Sequence, residues 1–511
     1  MLQPGPTSDP DPTLTRALAR DLNAADYRTE RLRERWGTAV DAVLGRGHAL
    51  PARRALAGDE SALAVVARLF GLGEGVTEAE ASLVFASVGA PGLAALGLVE
   101  VDAGEVRPRA LIRPQTYVDE DGADEWLVVS DLDEAAWGGP LPEGHVLGVG
   151  RASLTLAGLQ LSGAVDRALD VGTGCGIQAL RAWRAAASVV ATDVSERALR
   201  ITRLNAQLNG VDGIQTRRGD LFEPVTGETF DRIVSNPPFV ITPRVAGVPA
   251  YEYRDGGRVG DGLVTEFIAG VGRHLTPGGT AQLLANWETR HGVPGLDRVR
   301  AWVEDSDIPL EAWVIERELL DPVAYAQLWI RDGGTVPGTA AYDELLGAWL
   351  DDFDTRRVTA IGFGYVLLRR PARGRPTLAR YERAPQALPE GGLGAHLGRA
   401  LTAHDRLSAL DEAGLAASTL VVAPDVTEAR HHLPGAEDPS VIELHQGGGL
   451  ARVLAVDPAL AALVGACDGD LAVGPLIDAI AELLEVDAAR LRADLLPRVR
   501  ELVFCGFLSF V

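Results

Sequence analysis

Apolar residues recur at roughly helical spacing from Leu14 to Trp36, with arginines and acids between them, which predicts one helix across that stretch. Further helices are expected at Ser61–Leu72 and Glu78–Val88. The period then shortens. Leu98–Val101, a turn at Asp102–Gly104 and Val106–Ile112 predict two strands of a hairpin. Helices closed by a hairpin suggest a winged-helix-like module over residues 1–115.

From residue 116 to 375 strands alternate with helices, the pattern of a parallel α/β sheet. Strands are expected at Ala164–Val171, Val189–Thr192, Ile214–Arg218, Phe230–Ser235, Ala281–Asn286 and Ile361–Leu368. Helices are expected at Ile177–Ala187, Arg197–Leu208 (with Ser195 as N-cap) and Val259–His274. The acidic stretch Asp119–Glu134 reads as a solvated face or loop. A Pro/Arg/Gly linker, Pro371–Pro376, precedes a third unit, 376–511. There a turn at Asp468–Asp470, helices at Gly474–Leu484 and Ala488–Val503 and a strand at Phe507–Val511 suggest a second winged-helix-like ending. No internal repeat is evident.

Length agrees with three parts: 511 residues at about 150 per domain. Hydrophobic residues at 47% and charged ones at 23% exclude wholesale disorder. The 48 basic residues, all arginine, face 71 acids, leaving a net charge of −23. Such a surface repels phosphate and excludes a protein that coats nucleic acid or anionic membrane. Local patches stay open: Arg28, Arg31 and Arg35 share one face of the expected helix, although Glu30 and Glu34 interleave them. Cys175, Cys467 and Cys505 are too few and too scattered for a disulfide framework or a thiolate zinc site. The histidines show no metal-ligand spacing, so no metal is expected. The opening Met1–Pro6 lacks the features of a signal peptide, and no apolar run approaches the ~20 residues of a membrane span. A cytoplasmic location is expected.

The strand ending at Val171 runs into Asp170-Val-Gly172-Thr-Gly174-Cys-Gly176 and then a helix, a turn where backbone passes close to a ligand. A dinucleotide fingerprint would need its third glycine at position 177, which is Ile. Downstream, Asp193 ends the next strand and can accept from both hydroxyls of a ribose. Asp220, between Gly219 and Leu221, follows the third strand and can accept from an adenine amino group. Cys175 reads as a small loop residue. The fourth strand ends in Asn236-Pro237-Pro238-Phe239. The Asn236 side-chain oxygen and the Pro237 carbonyl can accept the two hydrogens of a planar NH2 group. The prolines stiffen the loop, and Phe239 offers a face on which a planar group stacks.

The glycine spacing resembles that of class I S-adenosylmethionine-dependent methyltransferases, and the tetrad resembles those that modify amino nitrogens conjugated to a π system. These include the HemK/PrmC-type release-factor glutamine methyltransferases, the RsmC-type ribosomal guanine enzymes and the adenine amino methyltransferases. The string Asn236–Pro243, the run Arg254–Arg258 and the turn Leu275–Gly279 look closest to the HemK type. His145–Thr155 falls where that family covers the cofactor. The resemblance spans about 120–370. It implies a Rossmann-like methyltransferase sheet flanked by helical, winged-helix-like domains, and S-adenosylmethionine bound by Asp170, Gly172, Gly174, Gly176, Asp193, Asp220, Leu221 and Asn236. It also implies Asn236, Pro237, Pro238 and Phe239 as catalytic residues. Phe239 stands where most glutamine enzymes carry Tyr and the guanine enzymes commonly carry Phe.

Two acceptors therefore compete, a protein glutamine amide and the amino group of an RNA or DNA base. Net charge favours the amide. Arg244, Arg254 and Arg258, just past the tetrad, are the counterweight, as candidate phosphate contacts at the pocket mouth. A third reading, different in kind, is a cofactor-binding protein that recruits partners through its flanking modules, with transfer weak or lost.

Overall fold

The computed structural model describes residues 8–44, 47–119, 122–138, 141–142, 144–245, 247–248, 254–388 and 392–511; Met1–Pro6 lies outside them. Two compact units form, Met1–Ala157 with Ala164–Arg383, and Gly158–Gly163 with Ala384–Val511.

The first unit is built on an eight-stranded sheet. Its strands are β1 (Val165–Val171), β2 (Ala186–Asp193), β3 (Ile214–Arg218), β4 (Phe230–Ser235), β5 (Leu275–Arg290), β6 (Glu311–Leu320), β7 (Val358–Arg369) and β8 (Ala379–Arg383). They lie in the order β8-β6-β7-β5-β4-β1-β2-β3. Strands from β3 through β5 are parallel, β7 runs against both neighbours, and β8 is parallel to β6.

Six helices are placed around the sheet: α1 (Ile177–Trp183), α2 (Glu196–Leu208), α3 (Gly262–Val271), α4 (Gly295–Glu304), α5 (Pro322–Asp332) and α6 (Ala340–Thr355). Apolar residues dominate the buried stretches of the central strands because both faces are covered. Leu169, Val190, Ile233 and Leu283 pack with Val264 and Phe267 of α3 and Val299 of α4. Ala168, Val189 and Ala191 pack with Ala179 and Ala182 of α1, small residues that let helix and sheet approach closely. Helices α5 and α6, an insertion between β6 and β7, contribute Tyr325, Tyr342, Trp349 and Phe353 to a cluster that also holds Val240 and Ile241.

Several boundaries differ from the sequence expectation. Helix α1 stops at Trp183, short of Ala187, because Ala186 already opens β2. The helix expected over Leu14–Trp36 is two, Pro12–Ala24 and Thr29–Trp36. Asp26 turns left-handed between them, at φ 52°. That turn buries Tyr27, whose hydroxyl donates to the Ile112 carbonyl at 2.8 Å. Further on, a helix at Ala62–Val66 with a wider turn to Gly71, a strand at Val76–Thr77, helices at Glu78–Val84 and Gly89–Ala95, and a hairpin of Val99–Asp102 and Glu105–Pro108 follow in winged-helix order. Thr77 and Glu80 cap the first of those two helices reciprocally.

The acidic stretch is no loop. Gly122–Asp131 is a strand paired along its length with Ala110–Asp119. Trp126 and Val128 are buried on one face and Val129 on the other, so the boundary expected at 115 falls inside a ladder. The expected boundary at 375 shifts likewise, since β8 still adds to the sheet and the second unit begins at Ala384.

In the second unit, helices Val473–Leu483 and Ala488–Phe504 are followed by the strand Leu508–Phe510. The residues read as a turn, Asp468–Asp470, open the strand Asp468–Ala472. Thr419–Val422 lies between these two strands. A separate three-stranded sheet is formed by Val426–His431, Val441–Gln446 and Val453–Val456.

Candidate active site

Register brings the loops together. Val171 at the end of β1 pairs with Thr192 of β2 on one side and with Ser235 of β4 on the other. Asp193 in turn pairs with Arg218 of β3. The residues that follow these ends, Gly172, Asp220 and Asn236, therefore share one edge with Asp193. β1 is the strand from which the order runs both ways, the switch point where open α/β sheets bind their ligands. Ser235 fixes the junction, its hydroxyl donating to the Val171 carbonyl at 2.8 Å.

All three loop glycines are left-handed, with φ of 72° at Gly172, 56° at Gly174 and 84° at Gly176. A Cβ on Gly172 or Gly174 would meet nothing within 4 Å, whereas one on Gly176 would lie 2.9 Å from Thr202 Cγ2. The first two glycines thus border open space and the third allows α2 to pack. The Gly174 amide donates to Asp193 Oδ2 at 3.0 Å, and the Ser195 amide to Asp193 Oδ1 at 2.9 Å. Ser195 caps α2 through the Ala198 amide.

Asp170 is fully buried and takes the Thr173 hydroxyl at 2.6 Å. Burial, with the Asp193 charge adding to it, pushes its carboxyl up to about 7. Burial also pushes the Cys175 thiol up to about 11, which suits a packing residue and no nucleophile. Leu221, at φ 44°, is half-buried against the α3 core cluster.

The tetrad leaves β4 with Pro237 buried and Asn236, Pro238 and Phe239 half-buried. Asn236 Oδ1 is buried without a hydrogen-bond partner among the described residues. Such an atom costs free energy unless something is bound there, so an acceptor is held ready at the sheet edge. The chain beyond is pinned at successive residues: Phe239 bridges Asp255, the Val240 amide donates to the Arg254 carbonyl at 2.8 Å, and the Ile241 amide to the Tyr325 hydroxyl at 3.0 Å. Asn286 Nδ2 donates to the same hydroxyl at 2.8 Å. Loop glycines facing open space and a buried open acceptor beside them fit a nucleoside cofactor with a planar amine.

The arginines past the tetrad are committed to acids. Arg254 is buried and pairs with Asp332 at 2.8 Å, Arg244 pairs with Asp255, and Arg258 bridges Asp220 at 2.7 Å and Glu266 at 2.8 Å. Those bonds, to Glu266 first and then Asp220, hold the Arg258 guanidinium above its ordinary pKa. In the N-terminal module Arg28 and Arg31 pair with Asp26, and Arg35 with Asp59. Neither set presents a row of free cations among the described residues.

Sequence reasoning missed several supports. Asn205 of α2 donates to the carbonyls of Val129 at 2.9 Å and Cys175 at 2.7 Å and accepts from the Val129 amide, tying the acidic strand to the glycine loop. A mid-helix Asn facing a strand edge was the available signal, but its partner lies 76 residues away. His145 is buried, which lowers its pKa, and Val146 donates to Asp131 at 2.9 Å. The segment expected over the cofactor lies along α1, with Gln178 Nε2 donating to the Ser153 carbonyl at 2.7 Å.

Residues 151–293 match the model of the methyltransferase small domain. Residues 24–109 and 401–510 match two domains of unknown function, DUF7059 and DUF7782. The release factor glutamine methyltransferase of Gloeobacter violaceus is 35% identical over 127 residues, 23% of this chain and 44% of that protein. The ribosomal protein uL3 glutamine methyltransferase of Bordetella pertussis is 33% identical over 170 residues, 31% of this chain and 56% of its own. The chain thus spans about half the length of the curated relatives it matches. Among solved structures, the YcgJ protein of Bacillus subtilis aligns at 17% identity over 44% of this chain and 98% of its own, with a TM-score of 0.28.

Proposed function

We propose that the protein is an S-adenosylmethionine-dependent N-methyltransferase whose acceptor is the side-chain amide of a protein glutamine. The observation that carries this reading is the buried, unpartnered Asn236 Oδ1 at the switch point. Asn236 Oδ1 and the Pro237 carbonyl take the two hydrogens of the target amide, which turns its nitrogen lone pair toward the cofactor. The cofactor supplies an electrophilic methyl on a sulfonium. Gly172, Gly174 and Gly176 give its backbone cradle, Asp193 takes the ribose hydroxyls and Asp220 the adenine amine, with Asp170 and Leu221 shaping the floor. Pro238 stiffens the loop and Phe239 stacks on the amide plane. In-line displacement of this kind depends on positioning more than on a strong base.

The glutamine reading draws on the relatives named glutamine methyltransferases and on the acid-paired arginines, which leave a phosphate backbone little to bind. By the same analogy the substrate is a protein of the translation apparatus, met in the cytoplasm. The terminal modules, which match the two domains of unknown function at 24–109 and 401–510, recognise that substrate or a partner. Among the described residues no helix is long and apolar enough to cross a membrane.

The test is transfer of labelled methyl from S-adenosylmethionine to a cell extract, followed by protease or RNase digestion. Label released by protease and recovered as methylated glutamine supports the reading; label released by RNase overturns it.

A further inference from the structure

A cavity of about 700 Å³ opens between the helix Pro12–Ala24, the strand Gly122–Asp131 and the C-terminal end of α2. Ala19, Leu127 and Leu208 give its floor apolar patches beside Asn23, Gln207 and Asn209, while Arg16 and Arg20, one helical turn apart, also line it. Both arginines are exposed, and neither has an ion pair or hydrogen bond among the described residues. This sets them apart in a chain of net charge −23, where the arginines near the tetrad are held by acids. Two carboxylates also line the cavity, Asp124, which accepts from the Tyr117 hydroxyl at 2.9 Å, and Glu125, which accepts from the Thr29 amide at 2.8 Å, so its arginines outnumber its acids by one. Arg28 leans toward Asp26 at 3.4 Å.

We infer that this cavity is a docking site for an acidic, leucine-bearing segment of the protein substrate, an inference that rests on the proposed protein acceptor. The free cations call for carboxylates, and the floor calls for aliphatic side chains between them. An RNA backbone fits less well. It has no aliphatic groups for the floor, and the one aromatic lining residue, Tyr27, is buried with its hydroxyl bonded to Ile112, so no ring face is offered to a base. The site is remote from the chemistry. Helix α2 starts just beyond Asp193 and carries Leu208 at its other end; its 13 residues span roughly 20 Å at 1.5 Å per residue. A substrate would thus be held at two points, its glutamine at the tetrad and its acidic segment here.

The probe is a short fluorescein-labelled peptide of alternating glutamate and leucine, titrated against the full chain at low ionic strength by anisotropy. Binding is expected, weakened about tenfold by the double substitution Arg16→Glu/Arg20→Glu and largely kept by Arg16→Lys/Arg20→Lys, with unfolding temperatures unchanged. A lysine-leucine peptide should not bind. Equal affinity in the charge-reversed variant, or tighter arginine-dependent binding of oligouridylate, overturns the proposal. Should the chain bind the peptide yet transfer methyl to no protein, the glutamine reading fails while the groove stands. Should it methylate protein while ignoring the peptide, the groove fails alone.

Discussion

The Gly174 amide donates to Asp193 Oδ2 across 3.0 Å, so the middle glycine of the first turn and the acid that ends β2 form one unit. The Ser195 amide holds the other oxygen at 2.9 Å, which aims the carboxylate along the edge where a ribose would lie. Asp193→Ala is expected to weaken binding of S-adenosylmethionine by about 1–3 kcal/mol, the scale of hydrogen bonds to a charged group. Calorimetric titration reads this directly, and equal affinity in the variant would remove Asp193 from the cofactor site.

Gly172 and Gly176 share a left-handed backbone but differ in their surroundings. An alanine at either must adopt the left-handed region, at a cost of about 1–2 kcal/mol. At Gly172 the new Cβ enters space that no protein atom fills; at Gly176 it also meets Thr202. Gly172→Ala should therefore lose cofactor affinity out of proportion to its loss of stability. Gly176→Ala should be the less stable of the two. Denaturant unfolding alongside cofactor titration separates the two effects, and a reversed order would refute the open-cradle assignment.

Asp170 supplies a pH signature. Its carboxyl is raised to about 7 by burial, so the folded protein holds this proton while the unfolded chain has already released it near pH 4. Stability from this group is full at low pH and falls as pH rises from about 4 to 7. Asp170→Asn fixes the uncharged state. The difference in unfolding free energy between variant and wild type should grow in the variant's favour across that window and then level off. A flat difference would mean that Asp170 ionises freely in the fold.

What could be read from the sequence tracks how local its cause is. The glycine loop, Asp193, Asp220 and the Asn236–Phe239 tetrad lie at strand ends, where alternation of strand and turn marks them within a few residues. The break at Asp26 was not legible, because no Gly or Pro announces it and its cause is a bond from Tyr27 to Ile112, 85 residues on. The acidic strand Gly122–Asp131 reads in sequence as a solvated face or loop because composition outweighs its buried Trp126, Val128 and Val129. Pairing of Arg254 with Asp332 joins positions 78 apart, so the sequence shows a cluster of arginines and hides the acids that occupy them. In the second unit Thr419–Val422 takes the middle of a sheet whose other strands start at Asp468 and Leu508, a pairing no local pattern announces.

Asn236 gives the sharpest test. Its Oδ1 is buried without a hydrogen-bond partner among the described residues, so the fold already bears the cost of an unsatisfied acceptor. Asn236→Ala removes that acceptor together with its cost, and the variant should be no less stable than the wild type toward denaturant. Cofactor affinity should change little, since the glycine loop and Asp193 are untouched. Turnover on the identified substrate should fall about 100- to 1000-fold, the effect of losing one preorganised transition-state hydrogen bond. Asn236→Asp, which keeps an acceptor oxygen, should recover part of the rate. Single-turnover transfer of labelled methyl, measured with cofactor saturating, isolates the step. Near-normal transfer by the alanine variant would show that no amine is aligned by this oxygen, and the acceptor would then have to be sought at oxygen or carbon.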